Sequence, residues 1–162
     1  MKRISAEYLQ SAMFGFNDAL VSTTGVIVGI SAGTGRKEVV ILAGVVTILV
    51  EALSMGAGQY LSSKSAHQLN KEKSSRSSIL SGLIMLFAYF TAGLVPLLSI
   101  VFFPISYSTI VAVIASLTCL LVLGYIKGKV VQVSPLRSAF EVFVIGGIAT
   151  AIGIIAGKIF SI

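Results

Sequence analysis

Residues 41–63 read ILAGVVTILVEALSMGAGQYLSS. A run of about 20 mostly apolar residues, rising ~1.5 Å each as a helix, is long enough to cross a ~30 Å hydrocarbon core. The stretch therefore predicts a membrane-spanning helix. Glu51 sits near its centre, Met55 follows four residues later on the same helical face, and Gln59 lies one turn further along. A carboxylate at mid-membrane costs roughly 2.5–3.5 kcal/mol even on a lenient insertion scale, so it faces other protein or a wet pathway in preference to lipid. Carboxylate, thioether and amide thus share one stripe of a helix inside the membrane.

Composition agrees with that reading. The 162 residues are 56% hydrophobic and 11% charged, where a soluble domain carries about 25% charged residues. With a mean hydropathy of +0.99, the chain reads as one transmembrane domain covering residues 1–162. Its net charge of +6 would suggest nucleic acid in a soluble protein, but the basic residues fall in short loops between apolar runs, which is a topology signal. No nucleic-acid partner is expected, and the lipid bilayer is. The single cysteine, Cys119, excludes an internal disulfide and a cysteine metal cluster within one chain.

Four further apolar runs complete an all-α integral membrane protein with approximate spans 11–33, 39–62, 79–103, 105–126 and 138–160. The polar residues 1–10 are expected to form a short interfacial helix leading into the membrane. A cleaved signal peptide fits poorly, because the apolar run that follows is too long and is interrupted by Asp18. In the first span Asp18, Ser22, Gly25 and Gly29 share a helical face, and Gly25, Gly29 and Gly33 form a ladder that lets another backbone approach. The short connection 34–38 makes spans one and two antiparallel neighbours. By helical rise, Asp18 lies ~10 Å from the face at which span one enters. Met55 lies at a similar depth in span two, with Glu51 one turn deeper, so the three side chains are able to converge.

Residues 64–78 are expected to form a polar cytosolic loop that extends span two, with His67 as a solvated loop histidine. Pro96 in span three removes a backbone hydrogen bond and is expected to kink the helix. Span four carries no ionisable side chain. In span five Glu141 lies near the boundary, in reach of water or of Arg137, and Ala149, Gly153 and Gly157 form a second small-residue ladder. Lys2, Arg3, Lys64, Lys71, Lys73, Arg76, Lys127, Lys129 and Arg137 all fall on one side of the membrane, against Arg36, Lys37 and Lys158 on the other. The positive-inside rule then puts the N-terminus in the cytosol and the C-terminus outside. An odd number of spans excludes two equal inverted halves within one chain, so a symmetric path requires two copies.

Gly29-Ile30-Ser31-Ala32-Gly33 matches the G-x-S-x-G pattern of serine hydrolases. The pattern has meaning only on a strand-to-helix elbow with a histidine in reach. Here it ends a membrane helix, and His67 lies beyond the opposite face. No H-E-x-x-H, P-loop or dinucleotide motif is present. The expectation is a protein that is not an enzyme and needs no cofactor. A mixed Asp, Glu and Met set leans toward a first-row transition metal, since a thioether is a soft ligand that Mg²⁺ and Ca²⁺ do not seek. A desolvated carboxylate favours its protonated form and can exchange a proton for a metal ion.

FGFNDALVSTTGVIVGISAG in span one and EALSMGAGQYLSSKS in span two, with GLVPLL, GYIKGK and GGIATAIGIIAGKIF further on, resemble the vacuolar iron transporter (VIT) family over nearly the whole chain. The resemblance implies five transmembrane helices and a homodimer with the ion path near the subunit interface. It also implies export of Fe²⁺, in some members Mn²⁺, from the cytosol in exchange for protons. By position, Asp18, Glu51 and Met55 match family residues that line the path, and Gln59 stands where the family has glutamate, removing one carboxylate from its cytosolic half. Ala19 stands where glycine is usual. The helical metal-binding insert that many members carry between spans two and three is missing, as it is in the shorter nodulin-like branch.

The sequence thus points to a multi-pass transporter of divalent transition metal, with Asp18, Glu51, Met55 and Gln59 as metal-contacting residues. Its membrane would be the inner membrane of a prokaryotic cell or a vacuolar-type membrane in a eukaryote. A non-transporting membrane scaffold predicts that Asp18 and Glu51 are fixed in packed interfaces. A proton-coupled carrier of organic cations predicts no use for Met55.

Overall fold

The computed structural model describes residues 6–71 and 75–160. The described residues form five helices and no strand: α1 (Ala6–Thr34), α2 (Lys37–Leu69), α3 (Ser75–Phe102), α4 (Ile105–Val130) and α5 (Pro135–Ile159). All five are long and apolar enough to cross a membrane. The protein is a multi-pass all-α membrane protein.

The helix ends are set by local chemistry. Between α1 and α2 stand only Gly35 and Arg36. Gly35 adopts φ +61°, a conformation open to a residue without Cβ, and its N–H closes the helix on Ser31 O at 3.0 Å. At the other end of α2, residues 64–69 continue the helix where the sequence reading expected loop. Nothing in Lys-Ser-Ala-His-Gln-Leu breaks a helix, and at 33 residues α2 is ~50 Å long, well beyond the hydrocarbon core. The chain leaves α2 at Asn70 and Lys71, the latter at φ 57°. The expected loop 64–78 thus shrinks to the segment between Leu69 and Ser75. Lys73 within it, like Lys2 and Arg3 at the start, lies outside the described residues. Residues 6–10 of the polar lead-in are helical and continuous with α1, residues 1–5 lying outside the described residues, and α3 runs unbroken through Pro96.

α1 is the hub of the bundle and packs against α2, α3, α4 and α5, while α2 on α3, α3 on α4 and α4 on α5 form the wall around it. Lipid tails are as apolar as leucine, so close packing and hydroxyl hydrogen bonds select which faces meet. Both operate on α1. Ser22 shares a 2.7 Å hydrogen bond with Tyr89 of α3, while Thr24 donates to Ser116 and Ser31 pairs with Thr109, both on α4, each at 2.7 Å. The two glycine ladders meet each other: a Cβ on Gly153 of α5 would stand 2.7 Å from Gly25 O. The core divides into a cluster around Ala19, Leu20, Ala52 and Tyr89 and another around Ile27, Ile48 and Ile100 toward the α1–α2 turn.

Candidate functional site

Asp18 on α1 and Glu51 on α2 are both half-buried and lie within reach of each other's charge. The antiparallel α1–α2 turn brings the two carboxylates into each other's field. Met55, one turn from Glu51, packs against the cluster that holds Ala19, Leu20, Ala52 and Tyr89. Two carboxylates and a thioether therefore gather where α1, α2 and α3 meet.

Tyr89, absent from the sequence reading, closes that region from α3. It is fully buried, its hydroxyl bonds to Ser22 one turn after Asp18, and the charges of both Glu51 and Asp18 act on it. A tyrosine in an apolar span is common, and only the packing of α3 on α1 reveals which carboxylates this one faces.

Gln59 belongs to a second region nearer the end of α2. It lines a cavity of about 250 Å³ together with Glu7, Gln10, Ser63, His67 and Asn70. Here the Glu7 carboxylate accepts hydrogen bonds from the hydroxyls of Ser63 on α2, and of Ser77 at 2.9 Å and Ser81 at 2.7 Å on α3. Tyr8 extends the network to Ser77 at 3.2 Å. His67 is no loop residue: it sits in the last turn of α2 with Nδ1 3.1 Å from Ser78 Oγ. Glu7 had a legible signal, since it stands eleven residues, or three turns, before Asp18 on the same helical face. The four sequence-predicted residues thus fall into a group of Asp18, Glu51 and Met55 near the middle of the bundle and a cavity nearer the end of α2 that Gln59 lines. Among the described residues no three of His, Cys, Asp and Glu come together as a metal cage.

Two other candidates take different places. Ser31 of the G-x-S-x-G match lies inside continuous α1, bonded to Thr109. Glu141 is exposed and pairs with Lys127 of α4 at 3.8 Å, a different partner from the Arg137 that the sequence offered.

Comparison with known proteins supplies the context for this arrangement. The chain is 24% identical over 209 aligned positions to vacuolar iron transporter 1 of Eucalyptus grandis, covering 91% of this chain and 84% of that one. It is 23% identical over 217 positions to vacuolar iron transporter 1 of Arabidopsis thaliana, covering 96% and 87%. It is 29% identical over 161 positions to vacuolar iron transporter homolog 1 of the same plant, covering 91% and 80%. The first two alignments exceed the 162 residues of this chain, so those relatives carry inserted residues, whereas the third does not exceed it. The sequence model of the VIT family matches residues 9–79 and 66–158, dividing where α2 gives way to α3. Four helices gathered around α1, an acidic pair between α1 and α2, and a family match across both halves lead to one conclusion: this chain belongs to the VIT family.

Proposed function

We propose that the chain carries Fe²⁺ or Mn²⁺ out of the cytosol in exchange for protons, as a homodimer with its N-terminus in the cytosol and its C-terminus outside. The observation that carries the reading is the facing pair Asp18 and Glu51, half-buried inside a membrane bundle with Met55 one turn away. Two carboxylates in one another's field repel when both are ionised. A divalent cation between them relieves that repulsion, and so do protons once the cation has left. Metal and protons therefore compete for the same oxygens, which is the requirement for exchange.

Met55 supplies a soft donor that favours a transition metal over Mg²⁺ or Ca²⁺. Gln59, with Glu7 and Gln10 around it, lines the mouth through which the ion reaches the pair. A single chain contributes two carboxylates to the pair, so the remaining coordination falls to water or to a second copy. The names of the relatives, vacuolar iron transporters of plants, support iron as cargo.

The test is Fe²⁺ and Mn²⁺ uptake into proteoliposomes under an imposed pH gradient, with Asp18→Asn, Glu51→Gln and Met55→Leu compared at matched folded protein. Flux that follows the gradient and is lost in both carboxylate variants is the expected result. Well-folded dimers that move neither metal above protein-free vesicles would refute it. Gradient-coupled flux of an organic cation, unchanged in Met55→Leu, would replace the metal with a different cargo.

A further inference from the structure

Glu7 on α1 and His67 on α2 are joined by two serine hydroxyls. Ser63 donates to the Glu7 carboxylate and stands 2.9 Å from Ser78 Oγ, which in turn stands 3.1 Å from His67 Nδ1. The two serines between the ends are buried, Ser63 at 7% exposed and Ser78 at 1%. The ends are only half-buried, and both line the cavity that Gln59 shares. A carboxylate and an imidazole therefore face one cavity and are also connected through the protein.

The hydrogens on this line obey a simple inventory. Ser63 has one hydroxyl hydrogen and two acceptors in reach, Glu7 Oε1 and Ser78 Oγ, so it serves one at a time. An ionised carboxylate only accepts. It draws the Ser63 hydrogen, the contact between the serines then takes its hydrogen from Ser78, and the contact to the ring takes its hydrogen from Nδ1. With Glu7 protonated the order reverses: Glu7 donates to Ser63, Ser63 to Ser78 and Ser78 to Nδ1. Passing from the first order to the second breaks one N–H and two O–H bonds and forms three O–H bonds, turning imidazolium and carboxylate into two neutral groups. The other hydroxyls on Glu7 lie off this line: Ser77 leads on to Tyr8, and Ser81 donates to Oε1 at 2.7 Å. Among the charged neighbours, Lys64 lies 5.6 Å over the Tyr60 ring, and Lys71 and Arg76 are exposed. Lys127 and Glu141, which share a different cavity with Gln10, pair with each other, and Glu72 and Lys73 lie outside the described residues.

We propose that Glu7, Ser63, Ser78 and His67 form a proton relay, in which the carboxylate and the imidazole share one proton through the two hydroxyls. Its use in transport rests on the exchange reading above, whereas the shared proton itself does not. On that reading the relay takes up protons released by Glu51 and by Asp18, which stands about 16 Å along α1 from Glu7 by helical rise. It does so at the end of the path where Gln59 offers no ionisable group.

His67 is the chain's only histidine, so isotopically labelled histidine in the intact chain gives a single imidazole in heteronuclear NMR spectra from detergent micelles. The spectra tell which ring nitrogen carries hydrogen, and that tautomer is set by the hydrogen bond the ring makes. At alkaline pH, with the ring neutral and Glu7 ionised, the hydrogen is expected on Nδ1. Ser63→Ala and Ser78→Ala each cut the line and should move most of the ring to the Nε2–H form that an isolated imidazole favours. Ser81→Ala removes a hydrogen bond from the same Glu7 oxygen but off the line, and should leave the hydrogen on Nδ1. Thermal midpoints taken alongside separate loss of the relay from loss of folding. An Nε2–H ring in the wild type, or one tautomer shared by Ser63→Ala and Ser81→Ala, would overturn the proposal. In proteoliposomes Ser63→Ala should slow gradient-driven metal flux severalfold relative to Ser81→Ala. Absence of flux from the wild type would remove the exchange reading and leave the tautomer result standing, whereas coupled flux without the tautomer change would remove the relay alone.

Discussion

Replacing Gly153 with alanine tests whether α1 and α5 cross at glycine distance. The added Cβ would lie 2.7 Å from Gly25 O, 3.0 Å from its Cα and 3.2 Å from its carbonyl carbon. All three are backbone atoms, so no side chain can swing aside. Restoring an ordinary contact of 3.4 Å requires the helices to part by about 0.7 Å locally, and overpacking of this kind costs ~1–3 kcal/mol. Against that stands the ~1 kcal/mol by which alanine outperforms glycine as a helix former. Gly147 in the same helix and Gly58 in α2 have nothing within 4 Å of a built Cβ, so alanine there keeps the gain and meets no obstacle. Gly153→Ala should therefore be less stable than Gly147→Ala by ~1–3 kcal/mol, or several degrees in thermal midpoint at roughly 2–4 °C per kcal/mol for a chain of this size. Circular dichroism at 222 nm during heating in detergent reads the difference. Equal midpoints for the three variants would mean that the α1–α5 crossing is looser than described.

Other expectations follow from individual contacts. Thr24→Val leaves the buried Ser116 hydroxyl without its 2.7 Å donor, and should destabilise by ~0.6 kcal/mol and at most ~1.7 kcal/mol, as interhelical hydroxyl bonds do in membranes; adding Ser116→Ala in a double-mutant cycle should recover most of it. Tyr89→Phe removes the bond to Ser22 from a fully buried position and should lower unfolding free energy by about 1 kcal/mol, measured by the same melts. Glu7→Gln withdraws the carboxylate on which Ser63, Ser77 and Ser81 converge, and should cost ~1.5–3 kcal/mol, the usual weight of hydrogen bonds to a charged group. Faster hydrogen exchange should then appear at the N-terminal turns of α1 and α3 while the α1–α2 turn around Gly35 keeps its protection.

The five spans and the positions of Asp18 and Glu51 along them were legible from sequence because both depend on local quantities. Transfer of each side chain from water to lipid sets which runs cross the membrane, and a fixed rise per residue sets where a carboxylate sits along them. The small-residue ladders of α1 and α5 were also visible, but their encounter was not: a stripe of glycines says that some backbone approaches and leaves open which one. The same limit hid the role of Tyr89 and the partners of Glu7. Their roles arise from α3 packing on α1, which joins residues 67 positions apart at Ser22 and Tyr89 and 74 apart at Glu7 and Ser81. Hydropathy also placed the end of α2 too early, since the water-exposed turn through His67 is polar yet still helical. Glu141 found Lys127 of the neighbouring helix because Gly124 and Gly128 let α4 press against the start of α5. Solvent transfer and helical periodicity determined the elements and their depth. Which faces meet was decided only in the folded bundle, because in an apolar solvent that choice rests on shape and on hydroxyl pairs between distant residues.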